Sequence, residues 1–138
     1  GNLSTVRVNV SAQLLEITSN VSSGYSLMAS SSSHLSSGSH EILSDPNPQE
    51  IIKGQERFGI RPCGLDISDS WGTNSNRLYA WPEPDEPISL AQDSTGPVGD
   101  DVAKGNGLIS LAYAASISDD VPAGVYKTSV TYIVTTTF

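Results

Sequence analysis

The chain has 138 residues, of which 37% are hydrophobic and 16% charged, with a formal net charge of −8 and a pI near 4.4. This length predicts one domain with one core. The acidity argues against nucleic acid and anionic lipid as partners, because both need a basic patch and the seven Lys and Arg residues are scattered. It favours a protein that is soluble outside the cell, and no segment has the ~18 apolar residues of a membrane span.

The N-terminal segment has the cleanest alternation in the chain. From Thr5 to Leu14, one face is apolar and the other polar, which predicts a long strand. The apolar face holds Val6, Val8, Val10, Ala12 and Leu14. At Leu15 the phase slips, because Leu15 and Ile17 are the next apolar pair, and a slip of one residue predicts a bulge or two separate strands.

The middle of the chain predicts several short strands separated by turns. In the first of them Tyr25, Leu27 and Ala29 share one face. The Ser-rich segment 30–39 is expected to be an exposed loop. Further strands are expected at 41–43, 57–63, 78–81, 88–90 and 108–117. Phe58 and Ile60 should point inward, and Pro62 limits its strand to a sheet edge or a strand end.

The C-terminal segment predicts a turn followed by a strand. Residues 119–124 contain Pro-Ala-Gly, and residues 125–138 alternate in β-branched and aromatic residues. No stretch of ten residues has a helical period with caps. About eight to ten short strands with turn signals predict an all-β, immunoglobulin-like or pilin-like β-sandwich.

Motifs for catalysis are missing from the sequence. It has no phosphate-binding Gly-rich loop before a helix, no Cys/His cluster and no Gly-x-Ser-x-Gly. His34 and His40 fall in or beside the Ser-rich segment, and nothing marks a buried acid to orient either of them. We therefore expect a protein that is not an enzyme and needs no cofactor.

Two clusters of residues, one of oxygen ligands and one of aromatic rings, are weak indications of a ligand-binding site. Hard oxygen ligands for calcium occur near Gly72 and in the loop 92–106, but their spacing matches no complete calcium loop, and solvated acidic turns are commoner. These residues are Asp66, Ser68, Asp69, Ser70 and Asn74, with Asp93, Asp100 and Asp101 in the second loop. Trp71, Tyr79 and Trp81 could form a sugar-binding surface, although such aromatics more often fill a core or a subunit interface.

Two further features concern covalent chemistry. Asn2, Asn9 and Asn20 each begin an Asn-x-Ser sequon, which in a Ser-rich chain is thin support for glycosylation. Cys63 is the only cysteine and cannot form an internal disulfide. We expect it to be a buried small residue, with an intermolecular bridge or a reactive thiol as alternatives.

Short motifs along most of the chain carry a family resemblance. Their order resembles that of exported bacterial β-sandwich surface proteins, notably those of candidate-phyla lineages, and more loosely WxL-type domains and spore-coat-U or archaic chaperone–usher pilins. The motifs lie at 17–27, 35–38, 58–61, 111–115 and 121–132, the last with Val121-Pro122-Ala123-Gly124-Val125-Tyr126. The Trp-x-Leu signature is absent, so wall anchoring does not carry over. The paired cysteines of archaic pilins are also absent, so the resemblance to that group extends to the fold alone.

The resemblance implies an extracellular structural or adhesive module. In the pilin branches, an N-terminal strand of one subunit completes the sandwich of the next. Here residues 1–14 would be the donor strand and 15–138 the sandwich domain, with Val130, Tyr132 and Val134 lining the acceptor groove. The partner would be a second copy of the chain, or a host or neighbouring-cell surface. The alternatives are that residues 3–14 are the first strand of their own sandwich, and that the protein is a monomeric adhesin or glycan-binding domain.

Overall fold

The chain is an all-β protein made of antiparallel sheets, consistent with a β-sandwich. Its structure, a computed structural model, describes residues 3–72, 77–98 and 106–136. The strands are β1 (Asn9–Glu16), β2 (Tyr25–Ser31), β3 (Leu35–Ser37), β4 (His40–Ile42), β5 (Gln49–Glu50), β6 (Arg57–Cys63), β7 (Leu78–Tyr79), β8 (Ile88–Asp93), β9 (Leu108–Ser116) and β10 (Val130–Thr136). A 3₁₀ turn covers Asp69–Trp71. The immunoglobulin-like connectivity stays a prediction.

Two three-stranded sheets form the body of the fold. One has the order β1-β9-β6 and the other β10-β2-β8, and two-stranded sheets β3-β4 and β5-β7 complete it. On one side, isolated bridges extend both sheets, because Ala80 bridges to Ile60 beyond β6 and Ile67 bridges to Ala91 of β8. On the other side stand β1 and β10, each paired along only one edge among the described residues.

The inner faces of the two sheets form one core, and most of the predicted faces are confirmed. Tyr25, Leu27 and Ala29 are buried in β2, as the period of two requires. Phe58 and Ile60 of β6 are buried too, and β6 lies at a sheet edge, as Pro62 demanded. Ile109 and Leu111 supply the facing layer from β9.

The N-terminal strand differs from its prediction in bounds and phase. It spans Asn9–Glu16, while residues 5–7 form a turn and a bend. The expected bulge or division into two strands is wrong, because β1 is one strand that pairs residue for residue with β9, from Asn9 opposite Ala115 to Glu16 opposite Leu108. One phase therefore holds throughout, and it is the phase of Leu15, which packs against the core.

Two other predicted elements are corrected by long-range pairing. The Ser-rich segment is not wholly a loop, because Leu35–Ser37 and His40–Ile42 form a hairpin around Gly38, whose φ is 61°. The final strand begins only at Val130. Before it, Lys127 pairs with Ser36 of that hairpin, so residues 125–129 cross from the hairpin to β2 rather than continuing the strand.

Candidate functional site

A groove on the open side of the fold has a volume of about 1200 Å³. It lies between β9 with β1 on one side and the segment leading into β10 on the other. We call it the inter-sheet groove. Its apolar lining residues include Leu35, Phe58, Trp81, Tyr113, Ala115 and Val130.

The inner face of β10 is the incompletely covered wall beside this groove. Val130, Tyr132 and Val134 pair with Ser31, Ala29 and Leu27 of β2 and therefore share the core side of the sheet. Val130 and Tyr132 are partly buried and pack on the core, whereas Val134 is 50% exposed. The three predicted acceptor residues thus lie in one row, and its far end lacks a cover.

The strand across from β10 turns its apolar row away from the core. Val10, Ala12 and Leu14 pair with Ala114, Ala112 and Ser110, so they lie on the outer face of the sheet. Val10 is 60% exposed and Leu14 68%, although Val10 also reaches the rim of the groove. Val6, in the turn before the strand, is 76% exposed, and Val8 is half-buried.

The core-facing row of β1 is polar instead. Asn9, Ser11 and Gln13 pair with Ala115, Tyr113 and Leu111, whose side chains face the interior. The Tyr113 hydroxyl donates to Gln13 Oε1 at 3.1 Å and also contacts the Tyr132 hydroxyl. Burial and the bond to Tyr113 raise the pKa of Tyr132, so this phenol stays neutral and links the two sheets.

The chain is anchored immediately after β1. Ile17 is buried, and its N–H donates to the carbonyl of Gly107 at 2.8 Å. Gly107 in turn donates its N–H to Asp66 Oδ2 at 2.7 Å, and the Tyr25 hydroxyl donates to the same oxygen at 2.9 Å. Burial, and then the bond and charge of Asp66, raise the pKa of Tyr25, which keeps this donor protonated.

The tryptophans are not an exposed sugar-binding surface, which corrects that interpretation. Trp71 is 2% exposed and donates its Nε1–H to the carbonyl of Ser89 at 2.8 Å. Trp81 is 3% exposed and packs on Phe58 with ring centroids 4.8 Å apart. Their apolar area places both rings in the core, as such rings usually are. Tyr79 is half-buried in β7.

Trp81 differs from Trp71 in one respect. Its Nε1 atom is buried and has no hydrogen-bond partner among the described residues. Its backbone is fixed, because the Trp81 N–H donates to the Asp45 carbonyl at 2.8 Å and the preceding Ala80 exchanges two bonds with Ile60. This donor could not be found from sequence, because its partners are set by tertiary packing.

The two histidines are held by side chains in the hairpin region. His34 Nδ1 lies 2.9 Å from Ser44 Oγ, and its Nε2 lies 3.6 Å from Glu83 Oε2, which is too long for an orienting hydrogen bond. His40 pairs with Glu56 and contacts the Tyr126 ring edge-on at 5.9 Å between centroids. These contacts hold the hairpin against its neighbours. The expectation that the protein is not an enzyme stays a prediction.

The acidic residues that suggested calcium do not converge among the described residues. Asp66 is taken up by Tyr25 and Gly107. Asp93 accepts bonds from Thr95 and Asn106; burial raises its pKa, but those bonds outweigh burial and lower it overall. Asp69 and Ser70 are exposed in the 3₁₀ turn, and the Ser68 hydroxyl bonds that of Ser89. Asn74, Asp100 and Asp101 lie outside the described residues, as does Asn2.

The remaining features are simpler. Cys63 is half-buried at the end of β6. Asn9 is half-buried and Asn20 exposed, and glycosylation of either stays a prediction. Within the described ranges, no helix is long and apolar enough to cross a membrane.

Comparison with protein-family models, with curated proteins and with solved structures gives no match.

Proposed function

We propose that the protein is a structural subunit of an extracellular filament or surface assembly, joined head to tail by donation of its N-terminal strand. The donated residues are 3–14, and the receiver is the inter-sheet groove of the next copy. One observation carries the proposal. Four residues of the N-terminal apolar row are exposed in their own molecule, while the far end of the inner face of β10, at Val134, lacks a cover. The four are Val6, Val10, Ala12 and Leu14.

The N-terminal segment has two apolar rows in different phases, so it cannot bury both of them within its own subunit. Side chains alternate with a period of two, so one regular strand cannot direct both Leu14 and Leu15 inward. In the subunit, Leu15 and the anchored Ile17 decide the phase, and the row from Val6 to Leu14 is left outside. A strand donated by another copy contributes residues 3–14 only. Leu15 and Ile17 therefore do not set its phase in the receiving subunit.

The hinge of this exchange lies between residues 14 and 15. Ile17 stays bound to Gly107 in its own domain, while the residues before Leu15 leave β9. The incoming strand takes the vacated position beside β9, shifted by one residue so that its apolar row faces Tyr132 and Val134. The β9 edge thereby keeps a partner, which is preferable to an exposed edge.

The energetic gain comes from apolar burial. Val6, Val10 and Leu14 are more than half exposed, and full burial stabilises such a side chain by about 1.5–3 kcal/mol. Part of this offsets the cost of association and strand ordering. Because the contact is between different surfaces of identical subunits, it can repeat from one subunit to the next and generates an open chain wherever the rotation between subunits does not close a ring.

A matched pair of substitutions in adjacent residues tests the proposal. Val10→Asp places a charge in the row that the neighbour buries, whereas Ser11→Asp places it in the row that donation turns toward solvent. Both positions are exposed in the subunit, so both variants should fold normally. We expect Val10→Asp to abolish assembly seen by electron microscopy and light scattering, and Ser11→Asp to assemble. Assembly by Val10→Asp, or its loss only in Ser11→Asp, would overturn strand donation.

A further inference from the structure

The inner row of β9 is the surface that a donated strand must match. In the subunit it lies opposite the polar row of β1. Strand donation sets the apolar row there instead, and because side chains alternate with a period of two, this requires a displacement of the ladder by an odd number of residues. The smallest displacement is one residue, toward either the beginning or the end of β9. The inner row consists of Leu111, Tyr113 and Ala115, with Ile117 just beyond the strand.

The anchor after β1 blocks displacement toward the beginning of β9. In the subunit Leu15 lies opposite Ile109 and packs on the core, and Ile17, two residues further on, is buried. Both residues follow the hinge and stay with their own domain. A strand displaced in this direction would bring the donor's Leu14 opposite Ile109, a position that the receiver's Leu15 already occupies. The two chains would therefore overlap.

Displacement by one residue toward the end of β9 avoids that overlap. It brings the donor's Leu14 opposite Leu111, which leaves Ser110 as the one residue of β9 between the donated strand and the receiver's own chain. The two chains can change over at this residue. At the other end of the ladder Val8 comes opposite Ile117, an apolar residue that packs on the core and lies beyond the ladders of β1 and β6 in the subunit.

The sizes of the side chains favour the same register. Tyr113 is the largest residue of the inner row of β9, and its hydroxyl contacts that of Tyr132 in the facing sheet. Displacement toward the end of β9 brings Ala12, the smallest residue of the donor's apolar row, opposite Tyr113, and the larger Val10 opposite the small Ala115. The reverse displacement would bring Val10 opposite Tyr113. Because protein interiors are close-packed, pairing large with small residues fills the space without overlap.

We infer that the donated strand pairs with β9 one residue nearer the end of β9 than β1 does, so that Ala12 of the donor packs against Tyr113 of the receiver. This register rests on the proposed strand donation and specifies its interface. Position 12 becomes the position that decides which strand fits, since a larger side chain there meets the Tyr113 ring. The site is thereby selective for a second copy of this chain over a strand with large residues at every inward position. The remaining pairs are Leu14 with Leu111, Val10 with Ala115, and Val8 with Ile117.

Crosslinking to one receiver position tests the register. On a Cys63→Ser background, the receiver carries Ala115→Cys, and donors of different mass carry Val8→Cys, Val10→Cys or Ala12→Cys. We expect the Val10→Cys donor to give several-fold more disulfide-linked heterodimer than the other two, since paired Cα atoms lie about 4.5–5.5 Å apart and diagonal ones about 7–8 Å. An equal or greater yield from either of the other donors would overturn the register and leave strand donation intact. No heterodimer with any of the three would overturn both.

Enlarging the donated row gives a second readout. Ala12→Leu enlarges the side chain opposite Tyr113, and Val10→Leu, opposite the small Ala115, is the matched control. Both positions are exposed in the subunit, so both variants should fold normally. We expect the critical concentration for assembly to rise at least about fivefold for Ala12→Leu, because of overpacking, and less than about threefold for Val10→Leu. A rise for Ala12→Leu no larger than that for Val10→Leu would overturn the pairing of Ala12 with Tyr113.

Discussion

Val134 lies opposite Leu27 in the register of β10 and β2, and the two side chains face the same interior, yet Leu27 is fully buried and Val134 is 50% exposed. Two residues that pair across neighbouring strands on a core face are normally buried to a similar extent by the same opposing layer. The difference locates the missing cover at the open side of the fold. The proposed function supplies that cover from a second copy of the chain.

The first prediction concerns this acceptor row. Val134→Asp should leave the isolated subunit folded, because the side chain is already half-exposed, and should prevent assembly by placing a charge under the incoming strand. Thr135→Asp is the matched control, since Thr135 is exposed on the opposite face of β10. Sedimentation of both variants measures the effect. Equal sedimentation of the two would show that this row takes no part in assembly.

The second prediction tests the anchor that sets the phase of β1. Ile17→Ala should destabilise the subunit by about 2–5 kcal/mol, as is usual for truncating a buried isoleucine. Leu14→Ala, three residues earlier, should change subunit stability by less than about 0.5 kcal/mol, because Leu14 is 68% exposed. Urea denaturation at a concentration below assembly measures both. Similar losses would mean that Leu14 is buried in the subunit.

The third prediction uses two glycines of equal backbone conformation. Gly107 and Gly54 both have φ of 79°, so alanine at either incurs the left-handed penalty of about 1–2 kcal/mol. At Gly107 a Cβ would also lie 2.3 Å from the Ile17 carbonyl oxygen, whereas at Gly54 it would meet nothing within 4 Å. Gly107→Ala should therefore cost clearly more stability by urea denaturation. A loss no greater than that of Gly54→Ala would contradict the close approach at the anchor.

The fourth prediction concerns alkaline pH. The pKa of Tyr25 is raised in the folded state above its ordinary value of 10.0, first by burial and then by Asp66. Above about pH 10 the unfolded chain loses this proton and the folded chain keeps it, so stability should fall as pH rises. Tyr25→Phe should show a shallower fall between pH 9 and 11 in urea titrations at each pH, with a slope that differs from the wild type by about half a proton at pH 10 and by close to one proton near pH 11. Parallel slopes for the variant and the wild type would contradict the buried, neutral phenol.

Much of the core could be predicted because local alternation and tertiary burial agree. In β2, the row of Tyr25, Leu27 and Ala29 has one phase only, and nothing competes with it. The N-terminal strand has two phases in its sequence, and periodicity cannot decide between Leu14 and Leu15. The phase of β1 is set by the long-range hydrogen bond of Ile17 to Gly107, which cannot be read from the local sequence.

Which residues of the last strand share a face could be predicted, but the geometry of the candidate site could not. Val130, Tyr132 and Val134 do share one face, because that follows from the period of a strand. The tryptophans were ambiguous, since an aromatic ring beside acidic residues suits a surface and a core equally well. The open side of the fold depends on which strands are sheet edges, and that is a property of non-local pairing.

Cysteine trapping between chains tests the central claim most directly. On a Cys63→Ser background, chains with Val10→Cys are mixed with chains of different mass carrying Tyr113→Cys or Ala115→Cys in β9, and Ser11→Cys is the control. Strand donation with a shift of one residue predicts a disulfide-linked heterodimer of Val10→Cys with at least one β9 variant, since paired Cα atoms of neighbouring strands lie about 4.5–5.5 Å apart and disulfides need Cα atoms within about 7 Å. In the subunit's own register, Ser11 faces the core side and Val10 does not. Crosslinking of Ser11→Cys alone, within doubly substituted single chains, would show that the N-terminal strand stays in its own molecule.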